Sequence, residues 1–189
     1  MKSFGDHEII ALVKKGNVHA FEHLVLRYQN KIITYLFYLT KNKSTAEELA
    51  QESFLKAYYN IKSLKNNHSF NFWIHRIAFH IFIDHQRSPT NTLWESLEMV
   101  KEDGVKSKGI EVRNLIITIL DSLHPDEKYA IMLTAMFEFT IEEAAKIMNI
   151  NRGTLNWRLK EGRQKFINYL LKYKIEITGI VIFNKKGVA

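Results

Sequence analysis

The chain has 189 residues, 46% apolar and 25% charged, ordinary proportions for a polypeptide that buries a core, so wholesale disorder is excluded and one or two domains are expected. Lys and Arg outnumber Asp and Glu by 27 to 20, a formal net charge of +7, which favours a polyanionic partner, nucleic acid ahead of an acidic membrane surface. The absence of cysteine excludes disulfides, thiolate metal sites and a catalytic thiol.

Met1 to Lys15 lacks the apolar run and small-residue cleavage site of a secretory signal, and no stretch of about 18 uncharged apolar residues follows. The expectation is a soluble, cytoplasmic protein without membrane insertion. Two prolines and eight glycines in the whole chain, with apolar residues recurring at three and four, predict helices throughout.

A first short helix fits Asp6 to Lys15, with Asp6 as cap and Ile9, Ile10, Leu12 and Val13 as its apolar face. Asn17 can cap a longer second helix whose stripe is Phe21, Leu24, Val25, Tyr28, Ile32, Leu36 and Phe37. Thr45 with Glu48 has the spacing of a capping box, predicting a third helix from there to about Asn60. The polar stretch Lys62 to Ser69 breaks the pattern. A fourth helix, Phe70 to Arg87, is apolar on nearly every side and belongs in the middle of its domain.

Between residues 88 and 109 the periodicity weakens and Pro89, Gly104 and Gly109 collect with mixed charges, as in an interdomain linker. Trp94, Leu97 and Met99 leave room there for a short docking helix. Helical spacing resumes at Ile110 to Asp121, and Pro125, Asp126 and Glu127 have the composition of a first turn. Thr140 with Glu143 forms a second capping box, opening a short helix to Met148. Asn149 to Asn151 make a turn, and Gly153 stands near the start of a long last helix. Two helices on so short a turn make a helix-turn-helix. The β-branched tail after Tyr173 has no assigned role.

In a helix-turn-helix the second helix enters the major groove. The candidates are Arg152, Thr154, Asn156, Trp157, Arg158 and Lys160: Arg donates twice to guanine, Asn pairs twice with adenine, and Thr offers a hydroxyl or methyl. The bland alternative is a solvated helix end. Glu47, Glu48, Gln51 and Glu52 give an otherwise basic chain one acidic, amide-bearing face, suited to a basic protein partner; alternatively these acids only complement the helix dipole. Lys62, Lys65, Asn66, Asn67 and His68 precede Phe70, Phe72 and Trp73. Basic with aromatic residues is the chemistry that holds single-stranded nucleic acid, or else a polar loop before a core helix. His19, Glu22 and His23 match the HxxEH pattern of inverted zinc peptidases. Phe21 and Leu24 interleave with them as core positions and no third ligand is evident, so no metal site, cofactor or catalytic residue is expected.

With these residues laid out, residues 6 to 172 resemble the extracytoplasmic-function (ECF) sigma factors of the sigma-70 family. HAFEHLVLRY is similar to the family's opening helix, TAEELAQESFLKAY to its acidic glutamine-containing helix, and FNFWIHRIAFHIFIDHQR to the helix that closes the first domain. FTIEEAAKIMNINRGTLNWRLKEGRQKF is similar to the family's second-domain helix-turn-helix. The resemblance implies an all-α fold: a sigma-2-like domain at 1–87, a flexible linker at 88–109, a sigma-4-like domain at 110–173 and a tail at 174–189. It implies a non-enzymatic subunit that binds core RNA polymerase, at the β′ clamp helices and the β flap, and directs it to promoter DNA, with an anti-sigma factor as a further partner left open.

Residue by residue, it puts Glu47, Glu48, Leu49, Gln51 and Glu52 against the clamp helices. Lys62, Lys65, Asn66, Asn67, His68, Trp73 and Arg76 fall at the −10 element, where a base is captured and strands are separated. Arg152, Thr154, Asn156, Trp157, Arg158 and Lys160 fall at the −35 element. Departures are Thr45 for Asp, the more apolar Phe79, His80 and Phe82, fewer basic residues at the end of DHQRS, and Glu161 and Gly162 for Arg and Ala. The last pair is expected to weaken phosphate contacts late in the recognition helix. Two rival readings remain: a helix-turn-helix regulator acting without polymerase, and a sigma-like decoy that binds protein but no DNA.

Overall fold

The computed structural model describes residues 5–65, 69–88 and 108–172. The chain separates into two compact units, Met1–Lys101 and Glu102–Ala189, and every described element is helical. The expected linker residues 89–107, with Trp94, Leu97 and Met99, and the tail from Tyr173 lie outside the described residues.

The first unit is built on α2 (Val18–Thr40), against which α1 (Asp6–Lys14), α3 (Lys43–Asn60) and α4 (Phe70–Arg87) pack. Its stripe Phe21, Leu24, Tyr28, Ile32 and Leu36 is buried as expected, joined by Tyr35 and Leu39. Val25 and Phe37 are only half-buried. Asn17 caps α2, its side chain accepting from the Ala20 N–H at 3.2 Å. In α4, Phe70, Ile74, Ala78 and Phe82 are fully buried. Phe70 meets Tyr28 at 5.2 Å and Phe21 at 6.4 Å between ring centroids, and each such ring contributes roughly 1.5–3 kcal/mol by leaving water.

Two caps differ from expectation. The first residue of α1 is Asp6, but Gly5 is its N-cap, with the Glu8 carboxylate accepting from the Gly5 N–H at 2.9 Å. Asp6 instead accepts from the Tyr28 hydroxyl and the Arg27 guanidinium, tying α1 to α2. In α3 the cap is Asn42, accepting from the Thr45 N–H at 3.0 Å, and not Thr45. Lys41 ends α2 with φ of 59°, so the chain reverses within two residues and α3 starts earlier than the Thr45–Glu48 spacing suggests.

The second unit holds α5 (Lys108–Asp121), α6 (Pro125–Ile131), a π-helical turn (Met132–Met136), α7 (Ile141–Met148) and α8 (Arg152–Lys172). Thr140 caps α7 as expected: its hydroxyl accepts from the Glu143 N–H at 3.2 Å, and the Glu143 carboxylate accepts from the Thr140 N–H at 3.0 Å. Asn149, with φ of 54°, ends α7, and the Asn151 side chain accepts from the Thr154 N–H at 2.7 Å to start α8. The π-helical turn escapes the sequence pattern; the Thr134 hydroxyl there donates to the Ala130 carbonyl at 2.9 Å, a back-bond that bends helices.

α8 buries Leu155, Leu159, Gly162, Phe166 and Leu170. Gly162 marks its close approach to α6: a Cβ there would lie 2.9 Å from Ile131 Cδ1 and 3.0 Å from Glu127 Cβ. This corrects the expectation that Gly162 bears on phosphate contacts, because the position faces the core. Gly162→Ala is expected to destabilise the second unit by about 1–3 kcal/mol through overpacking, although alanine is the better helix former by about 1 kcal/mol. Urea unfolding of the variant beside the wild type reads the difference, and a gain in stability would refute the close approach.

Candidate functional site

The candidate residues fall in three groups, two in the first unit and one in the second. On α3 the helical repeat turns Glu48, Gln51, Glu52 and Leu55 outward and Ala46, Leu49, Ala50, Ser53 and Phe54 inward. Glu47 is half-buried, with Lys43 Nζ at 3.9 Å from its carboxylate. Leu49 is 2% exposed, so it anchors α3 to the core and has no face to offer a partner. That is a correction to its expected role, and the reason is the three-to-four repeat that Leu49 shares with Ala46 and Ser53.

Beside the acids runs a groove of about 710 Å³ between α2 and α3. Its floor is Val25, Ile33, Ala50 and Phe54, with Leu55 and Tyr58 along one edge. Glu22 and Glu47 stand at its rim with Gln29 and Gln51. Besides Phe21 of the buried stripe, the residues of α2 in it, Val18, Glu22, Val25, Gln29 and Ile33, recur every three or four positions. Read from sequence alone, Val25 counts as core and Val18 is not singled out. The missed signal is this second stripe beside the buried one.

After α3, Lys62 and Lys65 are exposed, Lys62 within a short 3-10 turn, Ile61–Ser63. Lys14 of α1 donates to the Leu64 carbonyl at 2.5 Å, fixing the point from which the following segment departs. Asn66, Asn67 and His68 lie outside the described residues. Trp73 is half-buried against Phe70, 6.0 Å between centroids, and Arg76 is exposed one turn on. Phe79 and Phe82 are buried, so their apolar character serves the core. On α2, His19, Glu22 and His23 are exposed, and no group of three metal-binding side chains occurs among the described residues.

On the inner face of α4, His75 is buried with Nδ1 2.8 Å from the Asn71 carbonyl and its ring 5.0 Å from that of Tyr35. Burial, aided by the Lys31 charge, lowers its pKa to about 4 against the opposing effect of that hydrogen bond.

In the second unit, α7 and α8 form the helix-turn-helix. Asn156, Trp157 and Lys160 project from α8 on the side opposite its buried stripe, with Trp157 60% exposed. Thr154 is half-buried. Arg152 is exposed and pairs with Glu142 of α7 at 2.9 Å. Arg158 is turned to α6, where its guanidinium meets the Asp126 carboxylate at 2.8 Å. The first unit thus carries an apolar groove edged by two carboxylates and the second a helix-turn-helix with exposed basic residues.

Sigma-70 region 2 matches residues 24–91 and Sigma-70, region 4 matches residues 113–166. The ECF RNA polymerase sigma factor SigW of Bacillus subtilis (strain 168) is 32% identical over 170 residues, covering 82% of this chain and 91% of its own. The chain belongs to the ECF RNA polymerase sigma factors. The ECF RNA polymerase sigma-E factor of Escherichia coli (strain K12) is 28% identical over 178 residues, 86% of this chain and 93% of its own. Two solved structures share the fold. CnrH in complex with the cytosolic domain of CnrY has a TM-score of 0.67 at 19% identity, covering 88% of this chain and 97% of that one. RpoE in complex with the anti-sigma factor NepR from Bartonella quintana has a TM-score of 0.64 at 18% identity, covering 84% and 99%. The ECF sigma factor is thus an alternative sigma factor directing transcription initiation, in a family of sigma factors, which are not themselves enzymes. No helix among its described residues is long and apolar enough to cross a membrane.

Among the described residues of the first unit, His75 is the histidine shifted furthest from its ordinary value. Because His75 titrates near 4 when folded and near 6.5 when unfolded, the unfolded chain binds the extra proton between those values. Stability is therefore expected to fall as pH drops from about 6.5 to about 4, by on the order of 3 kcal/mol, and not to change further from this group below that. His75→Asn, which keeps a donor toward Asn71, is expected to flatten this part of the pH dependence in urea unfolding series. Parallel curves for variant and wild type would refute the assignment.

Proposed function

We propose that the sigma factor acts in the cytoplasm as a non-enzymatic subunit, supplying binding energy at two promoter elements while catalysis stays with the polymerase. Its first unit docks on the β′ clamp helices through Glu47, Glu48, Gln51 and Glu52 and the groove beside them. Lys62, Lys65, Trp73 and Arg76, with Asn66, Asn67 and His68, engage the −10 element. Arg152, Thr154, Asn156, Trp157 and Lys160 engage the −35 element in the second unit, which also meets the β flap. The sigma-2-like domain is taken as 1–87 and the sigma-4-like domain as 110–173 on either side of a linker, with α5 starting at Lys108, two residues before the second limit.

One observation carries this reading: the carboxylates of Glu22 and Glu47 border an open apolar groove in a chain of net charge +7. Carboxylates beside apolar surface repel DNA and suit a basic, partly apolar protein. An anti-sigma factor is a further partner, supported by the complex in which the relative RpoE is held by NepR.

Glu48 and Glu52 are exposed, so reversing both to Lys is expected to leave stability within about 0.5 kcal/mol. It is also expected to weaken binding to core polymerase by roughly tenfold or more, measured by fluorescence anisotropy of labelled protein. Unchanged affinity would remove the α3 face from the interface.

Transcription by reconstituted holoenzyme on a randomised −35/−10 library is expected to select a bipartite consensus only when the sigma factor is present. Core binding without selection would establish the decoy, and a palindromic footprint by the pure protein would establish a polymerase-independent regulator.

A further inference from the structure

The edge of α8 that faces α6 carries three successive features. Arg158 meets the Asp126 carboxylate at 2.8 Å, Gly162 permits the close approach, and Lys165 Nζ donates to the Glu127 carboxylate at 2.6 Å. Glu127 is buried, and its other oxygen accepts from the His124 N–H at 3.3 Å at the start of α6. Positions 158 and 165 lie about 20° apart around a helix, whereas 158 lies about 160° from both Asn156 and Lys160. The Arg158 side chain is 21% exposed and Asp126 36%. Arg152 differs: its side chain is 67% exposed and its partner Glu142 is 53% exposed, an ion pair that water and salt loosen easily.

Resting on the assignment of α8 as the −35 reader, we propose that Arg158 is a positioning residue and not a DNA contact. Its ion pair to Asp126 fixes the rotation of α8 about its own axis and so aims Asn156, Trp157 and Lys160 together. A guanidinium directed at the first turn of α6 cannot reach a base edge without abandoning its ion pair at 2.8 Å. The two side chains restrain the rotation because Gly162, one turn beyond Arg158, leaves α8 no Cβ with which to key into α6. The ion pairs take over that function on either side of it.

The experiment uses full-length protein with core polymerase and the randomised −35 library, comparing wild type, Arg158→Ala, Asp126→Ala, the double variant, and the swap of Arg158→Asp with Asp126→Arg. All are assayed well below their unfolding temperatures. The expected result is that each single variant loses affinity by roughly threefold to tenfold. Base preference flattens at several −35 positions at once, since the whole reading face has turned. The double variant is no worse than either single one, and the swap restores the consensus.

If Arg158 read a base, Arg158→Ala would relax preference at one base pair and Asp126→Ala would leave the consensus intact. If it bound a phosphate, loss would be uniform over sequences and the salt slope would fall by about one. Either outcome overturns the inference. Urea unfolding of the same set reads the coupling of the two side chains without DNA, and additive effects there would overturn it too. A wild-type chain that selects no −35 sequence at all would instead sink the proposed function, and the positioning role with it.

Discussion

Which residues of the last helix can touch DNA is decided by the stripe that cannot. Leu155, Leu159, Gly162, Phe166 and Leu170 are buried together, and a helix pinned along one side has its opposite side assigned. The absence of a side chain at Gly162 brings α8 against Glu127 and Ile131 of α6. With α8 so close, Trp157 and Lys160 face outward, and Arg158 and Lys165 lie along the seam.

The first unit obeys a similar constraint with a different outcome. The buried stripe of α2 is wide enough for α1, α3 and α4 to share, but Val18, Val25 and Ile33 lie beside it and α3 covers them only in part. What remains is apolar surface in water at the point where α3 also places its carboxylates. A groove of that kind has no use in an isolated fold and is intelligible as half of an interface. It shares a unit with α4, which carries Trp73 and Arg76, so on the proposed reading one packed body meets both the polymerase and the DNA it opens.

The helices were legible because their signals are local. The Thr140–Glu143 box, the Asn17 cap and the span Phe70–Arg87 need only neighbouring residues to be read, and the structure agrees at each. Thr45 misled because Asn42, three residues earlier, offers an equally good cap, and the choice depends on how α2 ends. Asp6 misled because a residue with capping chemistry found a better partner 22 positions away in Tyr28. The groove, the burial of Leu49 and the direction of Arg158 were not legible because each depends on a second helix. Sequence spacing says which residues share a face, and only packing says which face is spent on the core.

The same distinction bears on charge. A net charge of +7 makes the chain look like a uniform polycation, and α8, with six basic residues, like its most basic element. Three of those six, Arg152, Arg158 and Lys165, already face carboxylates within the second unit. Counterions released on binding come from the phosphates that a protein newly neutralises, and a cation held by its own carboxylate contributes less than its formal charge. The salt dependence of −35 binding should then follow the cations on the outward face, Lys160 foremost, and fall short of the count in the sequence. That shortfall suits the proposed role of a subunit that need not hold DNA alone, in which the polymerase carries the complex and α8 is assigned the choice of sequence.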